Sequence, residues 1–480
     1  MRYETVIGLE VHVELATKSK IFCSCSAHSY GAEPNTHVCP ACSGMPGMLP
    51  VVNKRVVDYG MKAGLMLNCH INRTTTFDKK SYYYPDLPAA YQTTQWFAPV
   101  AVNGLVEIET SKGKKGVRIK QIHMEEDAGK LVHDIREDTT HVDFNRTSVP
   151  LIEIVSQPDL SSAEEVEAYL ERLKNLLRFA KVAECEMAHG TMRCDVNLSV
   201  RPEGSDKLGV RTEMKNMNSI EAIKRAIEYE TARHIDALEN NTEVLVQETR
   251  RWDDIKGKSY AMRTKETAGD YRYFPDPNVM PVVIDDEWFN EISSSLPEFP
   301  EIKLARYTSE LGLSEYDAEQ ITKSIALCEC FESACASSGS AKDSANWIIS
   351  EVMSILNARQ MTYDMLTLNG TALGELIKLV SNGEVGRANG KKILSAMFDD
   401  QSIEPKAYAE ANGFIVSNDT GLIEKTITEA INADPKAVAD YKAGKEKAIM
   451  AIFGKCMKEL RGNCDPQILK TMLIDKINSI

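Results

Sequence analysis

The chain has 480 residues, of which 43% are hydrophobic and 26% are charged, and its formal net charge is −14 at pH 7. This length is too great for one hydrophobic core, so two to four domains are expected. The acidic balance argues against a protein that coats nucleic acids non-specifically. No stretch approaches the roughly 18 apolar residues of a membrane span, and the N-terminus lacks the pattern of a signal peptide, so we expect a cytoplasmic protein.

Alternating apolar and polar residues predict the first strand close to the N-terminus. In residues 5–15 the odd positions from Ile7 onward are apolar, while Glu10, His12 and Glu14 occupy even positions. Because side chains alternate along a strand, these three polar residues share one face. Simple exposure of that face to water is the alternative interpretation.

Two further strands are predicted to carry charged residues on one face. Residues 193–201 alternate in the same way, which places Arg193 and Asp195 on one face of a strand. A short run near residue 213 likewise places Glu213 and Lys215 on one face. Helices are predicted to begin at the sequences around positions 162 and 219. The first of these starts with a serine followed three residues later by a glutamate, the pattern of a capping box.

Composition divides the chain into three regions. Residues 1–295 mix short alternating runs with helices, which predicts an α+β domain with a mainly antiparallel sheet. Closely spaced prolines at 296–300 favour extended backbone and predict a boundary. Residues 296–405 and 406–480 both have helical periodicity, so two all-α domains are expected to follow.

Four of the twelve cysteines form two close pairs, and the others are scattered. The paired residues are Cys23, Cys25, Cys39 and Cys42. Four thiolates in two close pairs suit a closed, tetrahedral Zn²⁺ site with a structural role. Four unrelated reduced thiols are the alternative, and His28 or His37 could replace one ligand. The pattern favours a reducing compartment over a disulfide framework.

A dense carboxylate cluster occurs in residues 121–130, where Glu125, Glu126 and an aspartate are consecutive. Carboxylates gather where Mg²⁺ is held against phosphates, although a solvated acidic turn is the alternative. Cations at Arg193, Lys215 and Arg250 complete the pattern of a phosphoryl-transfer site. The sequence contains no Gly-x-x-x-x-Gly-Lys-Ser/Thr, so a P-loop is excluded.

Basic residues are concentrated near the C-terminus. Residues 406–480 hold 11 Lys and Arg against 10 Asp and Glu, which leaves a net charge of −15 on residues 1–405. Six cations crowd into one short helical stretch: Lys442, Lys445, Lys447, Lys455, Lys458 and Arg461. Such a stretch suits contact with nucleic-acid phosphates, and an ordinary helix surface is the alternative.

Several motifs, in order along the chain, resemble those of the B-type (GatB) subunit of the aspartyl/glutamyl-tRNA(Asn/Gln) amidotransferases. They lie at residues 6–15, 84–88, 123–130, 150–156, 193–197, 247–251 and 270–277. One departure is Ala89, where family members often carry a lysine. The resemblance implies a glutamine-synthetase-like cradle domain over 1–295 with a zinc-knuckle insertion, a helical domain over 296–405, and a tail similar to YqeY proteins over 406–480.

The resemblance also implies a ligase-class enzyme that uses ATP and Mg²⁺ to phosphorylate the side-chain carboxylate of Glu-tRNA(Gln) or Asp-tRNA(Asn). Ammonia that an amidase subunit releases from glutamine then displaces the phosphate, and a third, small subunit makes the enzyme a heterotrimer. The basic tail would bind the tRNA, and the zinc site would be structural. Two rival functions are a non-catalytic, zinc-stabilised tRNA adaptor and a free-standing carboxylate kinase for small molecules.

Roles for individual residues follow as expectations. The catalytic residues would be Glu10, His12, Glu125 and Glu126, and the first three of these would also hold Mg²⁺. The residues expected to bind the nucleotide are Arg193, Asp195, Glu213, Lys215 and Arg250. The first set lies on two predicted strands, and the second combines phosphate-binding cations with further carboxylates.

Overall fold

The structure is a computed structural model that describes residues 2–134, 138–264, 271–416, 420–442, 445–460, 464 and 466–479. The chain forms two compact units, Met1–Phe299 and Pro300–Ile480. The first unit is built mainly on an antiparallel sheet and the second is helical, which confirms the predicted fold class. The further division of the helical region near residue 405 stays a prediction.

The first unit contains sixteen strands and four α-helices within the described ranges. In chain order these are β1 (Tyr3–Glu14), α1 (Lys54–Met66), β2 (His70–Ile71), β3 (Thr74–Thr75), β4 (Asp78–Ser81), β5 (Tyr91–Thr94), β6 (Ala101–Thr110), β7 (Gly113–Glu126), β8 (Lys130–Asp134), β9 (Thr139–Asp143), β10 (Pro150–Ser156), α2 (Ala163–Phe179), β11 (Met192–Pro202), β12 (Thr212–Lys215), α3 (Ile220–Asn240), β13 (Glu248–Asp253), β14 (Lys258–Thr264), β15 (Phe274–Pro275), β16 (Val282–Val283) and α4 (Asp286–Ser294).

A nine-stranded sheet organises this unit, in the order β14-β13-β12-β11-β1-β10-β7-β6-β2. Its neighbours pair antiparallel except β12 and β13, which are parallel. On the central strand β1, Ile7, Val11 and Val13 are fully buried. Helices α1, α2 and α3 pack against the sheet. Burial of the apolar face therefore leaves the polar face of β1 on the other side, as the alternation predicted.

Two predicted helix starts are confirmed. The side chain of Ser162 accepts a hydrogen bond from the backbone N–H of Glu165 at 3.2 Å, and Ser219 caps α3 in the same way. The second half of the predicted capping box differs, because the Glu165 carboxylate accepts from the backbone N–H of Ser161 at 2.8 Å. Both caps supply acceptors for N–H groups that a helix leaves free.

The second unit contains twelve α-helices within the described ranges. They are α5 (Pro300–Ser309), α6 (Glu315–Ile321), α7 (Ile325–Ser338), α8 (Ala341–Trp347), α9 (Met353–Ala358), α10 (Gly370–Ser381), α11 (Arg387–Asp399), α12 (Pro405–Ala411), α13 (Thr420–Ala433), α14 (Pro435–Lys442), α15 (Ile449–Glu459) and α16 (Pro466–Ser479). Helices α7 and α10 approach closely, because a Cβ atom on Gly374 would lie 2.6 Å from the carbonyl oxygen of Ala334. None of the helices in the described ranges is both long and apolar enough to cross a membrane.

Candidate active site on the polar face of the sheet

Strand register gathers polar residues from distant parts of the chain on one face of the nine-stranded sheet. Glu10 on β1 lies opposite Asp195 on β11. His12 lies opposite Glu153 on β10, and Glu153 lies opposite His123 on β7. Since directly opposed residues point to the same side of a sheet, these side chains face one another above the strands.

The first cluster consists of His12, Glu125 and Glu153, whose ligand atoms all lie within 4.8 Å of one another. Glu153 Oε2 is 2.9 Å from His123 Nε2 and 3.4 Å from His12 Nε2. Glu125 Oε1 is 3.1 Å from the same nitrogen of His123 and accepts a hydrogen bond from Thr94. Carboxylate oxygens with one imidazole form a donor set that suits Mg²⁺ or Mn²⁺.

Two histidines, His12 of the cluster and the neighbouring His123, keep Glu153 of this cluster ionised. Burial alone would lower the pKa of His123, but the attraction of Glu153 and Glu125 outweighs burial and raises that pKa to about 10. Burial likewise opposes ionisation of Glu153, but His123 and His12 together lower its pKa well below the usual value. The cluster therefore contains ionised carboxylates at neutral pH.

The second cluster consists of Glu10, Asp195 and Glu213, with ligand atoms again within 4.8 Å of one another. Lys215 Nζ contacts the carboxylate of Asp195 and lies 3.3 Å from Glu213 Oε1. Burial, followed by repulsion from Glu153 and Glu213, raises the pKa of Glu10. Three carboxylates so close to one another repel, and a divalent cation would relieve that repulsion.

Both clusters line one cavity of about 580 Å³. Besides Lys215, its wall contains three cations and three aromatic residues: Lys80, Lys120, Arg211, Trp96, Tyr271 and Tyr273. Burial would lower the pKa of Lys80, but Glu125 and its neighbours outweigh burial and raise that pKa, so the lysine stays charged. A cavity with two potential cation sites and nearby ammonium and guanidinium groups can hold a polyphosphate.

The structure brings most, but not all, of the predicted site residues to this cavity. Its lining includes Glu10, His12, Glu125, Asp195, Glu213 and Lys215. Glu126 does not join them, because it follows Glu125 in β7 and points to the opposite face. There its carboxylate accepts hydrogen bonds from the backbone N–H of Thr93 at 2.9 Å and from Ser148 Oγ at 2.6 Å.

Two predicted nucleotide-binding arginines are also absent from the lining of this cavity among the described residues. Arg193 lies on the polar face, but its Nη2 donates to Asp127 Oδ2 at 2.7 Å. Arg250 points towards α3, where its Nε lies 3.2 Å from the buried Glu230 carboxylate and its Nη1 donates to Glu248 at 2.6 Å. Both guanidinium groups are held by carboxylates of the fold.

Glu153 and Lys80 also line the cavity, but the sequence did not lead us to predict them as site residues. A detectable signal existed for Glu153, since it is the one charged residue within the otherwise apolar run of residues 150–155. A lone carboxylate in the middle of a buried strand needs partners, which here are His12 and His123. Lys80 gave no comparable signal, because its position depends on how β4 approaches the sheet.

The four paired cysteines meet as the sequence predicted, with their sulfur atoms within 4.8 Å of one another. The backbone N–H of Cys39 donates to Cys42 Sγ at 3.2 Å. The fully buried Lys20 places its Nζ 3.6 Å from the same sulfur and donates to the His37 carbonyl at 2.7 Å. Four sulfurs with a cation beside them fit Zn²⁺, since a tetrathiolate site carries net negative charge.

Most of the predicted tail cations lie on the surface around α14 and α15. Lys442, Lys445, Lys447, Lys455 and Lys458 are all exposed. Two of them form ion pairs, Lys445 with Asp440 at 3.0 Å and Lys455 with Asp434 at 2.8 Å. Arg461 and Asp270, the first residue of the last matching motif, lie outside the described residues.

Comparison with known proteins identifies the family of this chain. Residues 5–290 match the GatB/GatE catalytic domain family, and residues 329–477 match the GatB domain family. The chain is 50% identical over 473 residues to the B-type subunit of the aspartyl/glutamyl-tRNA(Asn/Gln) amidotransferase of Agathobacter rectalis, which covers 98% of this chain and 99% of that protein. The chain belongs to the GatB family of amidotransferase subunits.

Other relatives in the GatB family extend over the whole chain. The corresponding protein of Caldicellulosiruptor bescii is 48% identical over 483 residues and that of Clostridium tetani is 46% identical over 481 residues, with complete coverage of both chains in each case. The resemblance inferred from the sequence motifs is therefore confirmed, as is the expectation of an enzyme subunit of the amidotransferase type.

Proposed function

We propose that the cavity on the sheet is where ATP phosphorylates the side-chain carboxylate of Glu-tRNA(Gln) or Asp-tRNA(Asn). The observation that carries this proposal is the pair of clusters that share the cavity, His12–Glu125–Glu153 and Glu10–Asp195–Glu213. Two sets of hard ligands beside cations are what a triphosphate and its Mg²⁺ ions require. A tRNA adaptor without catalytic activity has no need of them.

Magnesium ions held by these two clusters would neutralise phosphate charge when they are bound. The chain's own cations would neutralise further phosphate charge, because Lys80 and Lys215 both line the cavity and can face phosphate oxygens. Both lysines stay protonated, because neighbouring carboxylates outweigh the effect of burial and raise their pKa values. They can therefore stabilise the charge of the transferring phosphoryl group.

The reaction would proceed in two balanced steps. An oxygen of the side-chain carboxylate forms a bond to the γ-phosphorus, and the bond to the β-phosphate oxygen breaks to release ADP. Ammonia then attacks the acyl carbon, loses a proton, and expels phosphate that contains the carboxylate oxygen. Phosphorylation is needed because a free carboxylate repels nucleophiles and its oxide is a poor leaving group.

The remaining parts of the chain would support this reaction. We propose that an amidase subunit supplies the ammonia, that a third, small subunit joins the two large ones in a heterotrimer, and that the exposed tail lysines bind tRNA phosphates. The four clustered cysteines would bind one structural Zn²⁺. The curated relatives are named as subunits of an aspartyl/glutamyl-tRNA(Asn/Gln) amidotransferase, which supports these assignments.

Oxygen transfer tests the proposal directly. Glu-tRNA(Gln) labelled with ¹⁸O in its side-chain carboxylate is incubated with the assembled heterotrimer, ATP, Mg²⁺ and glutamine. One labelled oxygen should appear in the inorganic phosphate for each Gln-tRNA(Gln) formed, because that oxygen bridges carbon and phosphorus. Amide formation with unlabelled phosphate would overturn the proposed activation.

A further inference from the structure

A second and larger cavity is lined by the end of β1, the strand that also carries Glu10 and His12. Its volume is about 900 Å³, and its lining includes Glu14, two residues beyond His12 on the same face of the strand. The wall is completed by residues 27–34, by the start of β8, and by residues 184–191. The groove therefore begins two residues from the His12 cluster along β1.

Glu14 is the carboxylate in this groove that has no direct partner among the described residues, although Arg193 and Arg146 attract it from beyond ion-pair distance. Within the described ranges, no hydrogen bond or ion pair involves its side chain, although it is partly buried. The guanidinium groups of Arg193 and Arg146 are bound to Asp127, at 2.7 and 3.5 Å. A partly buried carboxylate without a donor is costly, so a ligand that donates to it would be stabilised.

The other carboxylates on the groove wall have partners. Asp143 accepts hydrogen bonds from the backbone N–H groups of Asn35 and Asn145, both at 3.0 Å. Glu184 lies 3.4 Å from His189 Nδ1 and is largely exposed. Glu14 therefore differs from Asp143 in pairing, and from Glu184 in both burial and pairing.

The substrate of the proposed reaction offers one matching donor. An aminoacyl ester carries a free α-amino group, which donates hydrogen bonds in either protonation state, and the group lies about 5 Å from the side-chain carboxyl carbon of glutamate over four covalent bonds. Two residues along a strand span about 6.7 Å. A glutamyl group whose carboxylate lies at the His12 cluster would therefore bring its α-amino group to Glu14.

We propose that Glu14 binds the α-amino group of the aminoacyl ester and that the groove beside it holds the terminal nucleoside of the tRNA. This inference rests on the proposed function, because it assumes that the reacting carboxylate lies at the two clusters. Tyr30 and His189 support it, since their rings lie 4.8 Å apart on the groove side and offer aromatic surface to a nucleobase.

A comparison of two tRNA ligands tests this proposal. The assembled heterotrimer is titrated without ATP with Glu-tRNA(Gln) and with its α-hydroxy analogue, in which a neutral hydroxyl replaces the amino group. The wild type should bind the analogue about tenfold more weakly, as expected for loss of one charged hydrogen bond. In Glu14→Gln the two ligands should bind within about threefold of each other, and Glu14→Asp should keep part of the preference.

Glu184→Gln is the matched control, because it removes the same charge from an exposed position on the same groove. This variant should keep the wild-type preference for Glu-tRNA(Gln) over the α-hydroxy analogue. Loss of that preference in Glu184→Gln would overturn the assignment to Glu14. Equal binding of both ligands by the wild type, or an unchanged preference in Glu14→Gln, would also overturn it. This test measures binding without ATP. A negative ¹⁸O result would therefore refute the proposed phosphorylation but would not decide whether Glu14 binds the α-amino group.

Discussion

Two adjacent glutamates provide the sharpest test of the site. Glu125 and Glu126 are consecutive in β7, so their side chains point to opposite faces of the sheet. Only Glu125 lies in the cavity with His12 and Glu153. The same substitution, Glu to Gln, at each position therefore separates a role in the reaction from a role in the fold.

The expected magnitudes follow from the contacts of each carboxylate. Glu125 is 3% exposed and lies 3.1 Å from His123 Nε2. Loss of a residue that only supports a metal ligand costs about 10- to 100-fold in activity, so loss of a proposed Mg²⁺ ligand should lower the rate by at least about 100-fold. At Glu126 the amide keeps one acceptor for Thr93 and can donate to Ser148, so the rate should fall by no more than about threefold.

The assay should measure the first half-reaction alone. ADP release that depends on Glu-tRNA(Gln) is followed in the absence of glutamine, so that delivery of ammonia has no influence on the rate. Glutamine hydrolysis by the heterotrimer then reports whether each variant is assembled. Comparable rates for Glu125→Gln and Glu126→Gln, whether both high or both low, would refute the assignment of the two faces.

Three further predictions concern the metal, the tail and acid stability. Cys42→Ser should lose about one Zn²⁺ per chain by elemental analysis, whereas Cys69→Ser, a buried cysteine outside the cluster, should keep it. Lys447→Gln with Lys458→Gln should reduce the slope of log affinity for tRNA against log salt by about 2, and an unchanged slope would exclude both contacts. Burial lowers the pKa of His234 to about 4 in the folded chain, whereas the unfolded chain binds this proton with the ordinary pKa of about 6.5. Stability from this residue is complete above about pH 6.5 and lost as the pH falls towards 4. Urea unfolding should show a loss of about 2 kcal/mol between about pH 7 and pH 5 that is absent in His234→Gln.

Local patterns in the sequence were sufficient to predict several residues of this site. The alternation in β1 predicted that Glu10 and His12 share a polar face, because the apolar residues between them must be buried together. The close spacing of the cysteine pairs predicted their cluster, because each pair spans two corners of one tetrahedron. Both inferences depend only on residues close together in the chain.

Pairing between strands that are distant in the chain determined the remaining site residues, and no local sequence pattern predicts that pairing. Strand β1 lies between β10 and β11, which places Glu153 and Asp195 on either side of its polar face. The sequence interpretation of residues 121–130 treated neighbouring carboxylates as one cluster, whereas the strand pleat sends Glu125 and Glu126 to opposite faces. Register depends on which apolar faces pack together across the whole domain, so only the tertiary structure could determine which carboxylates meet.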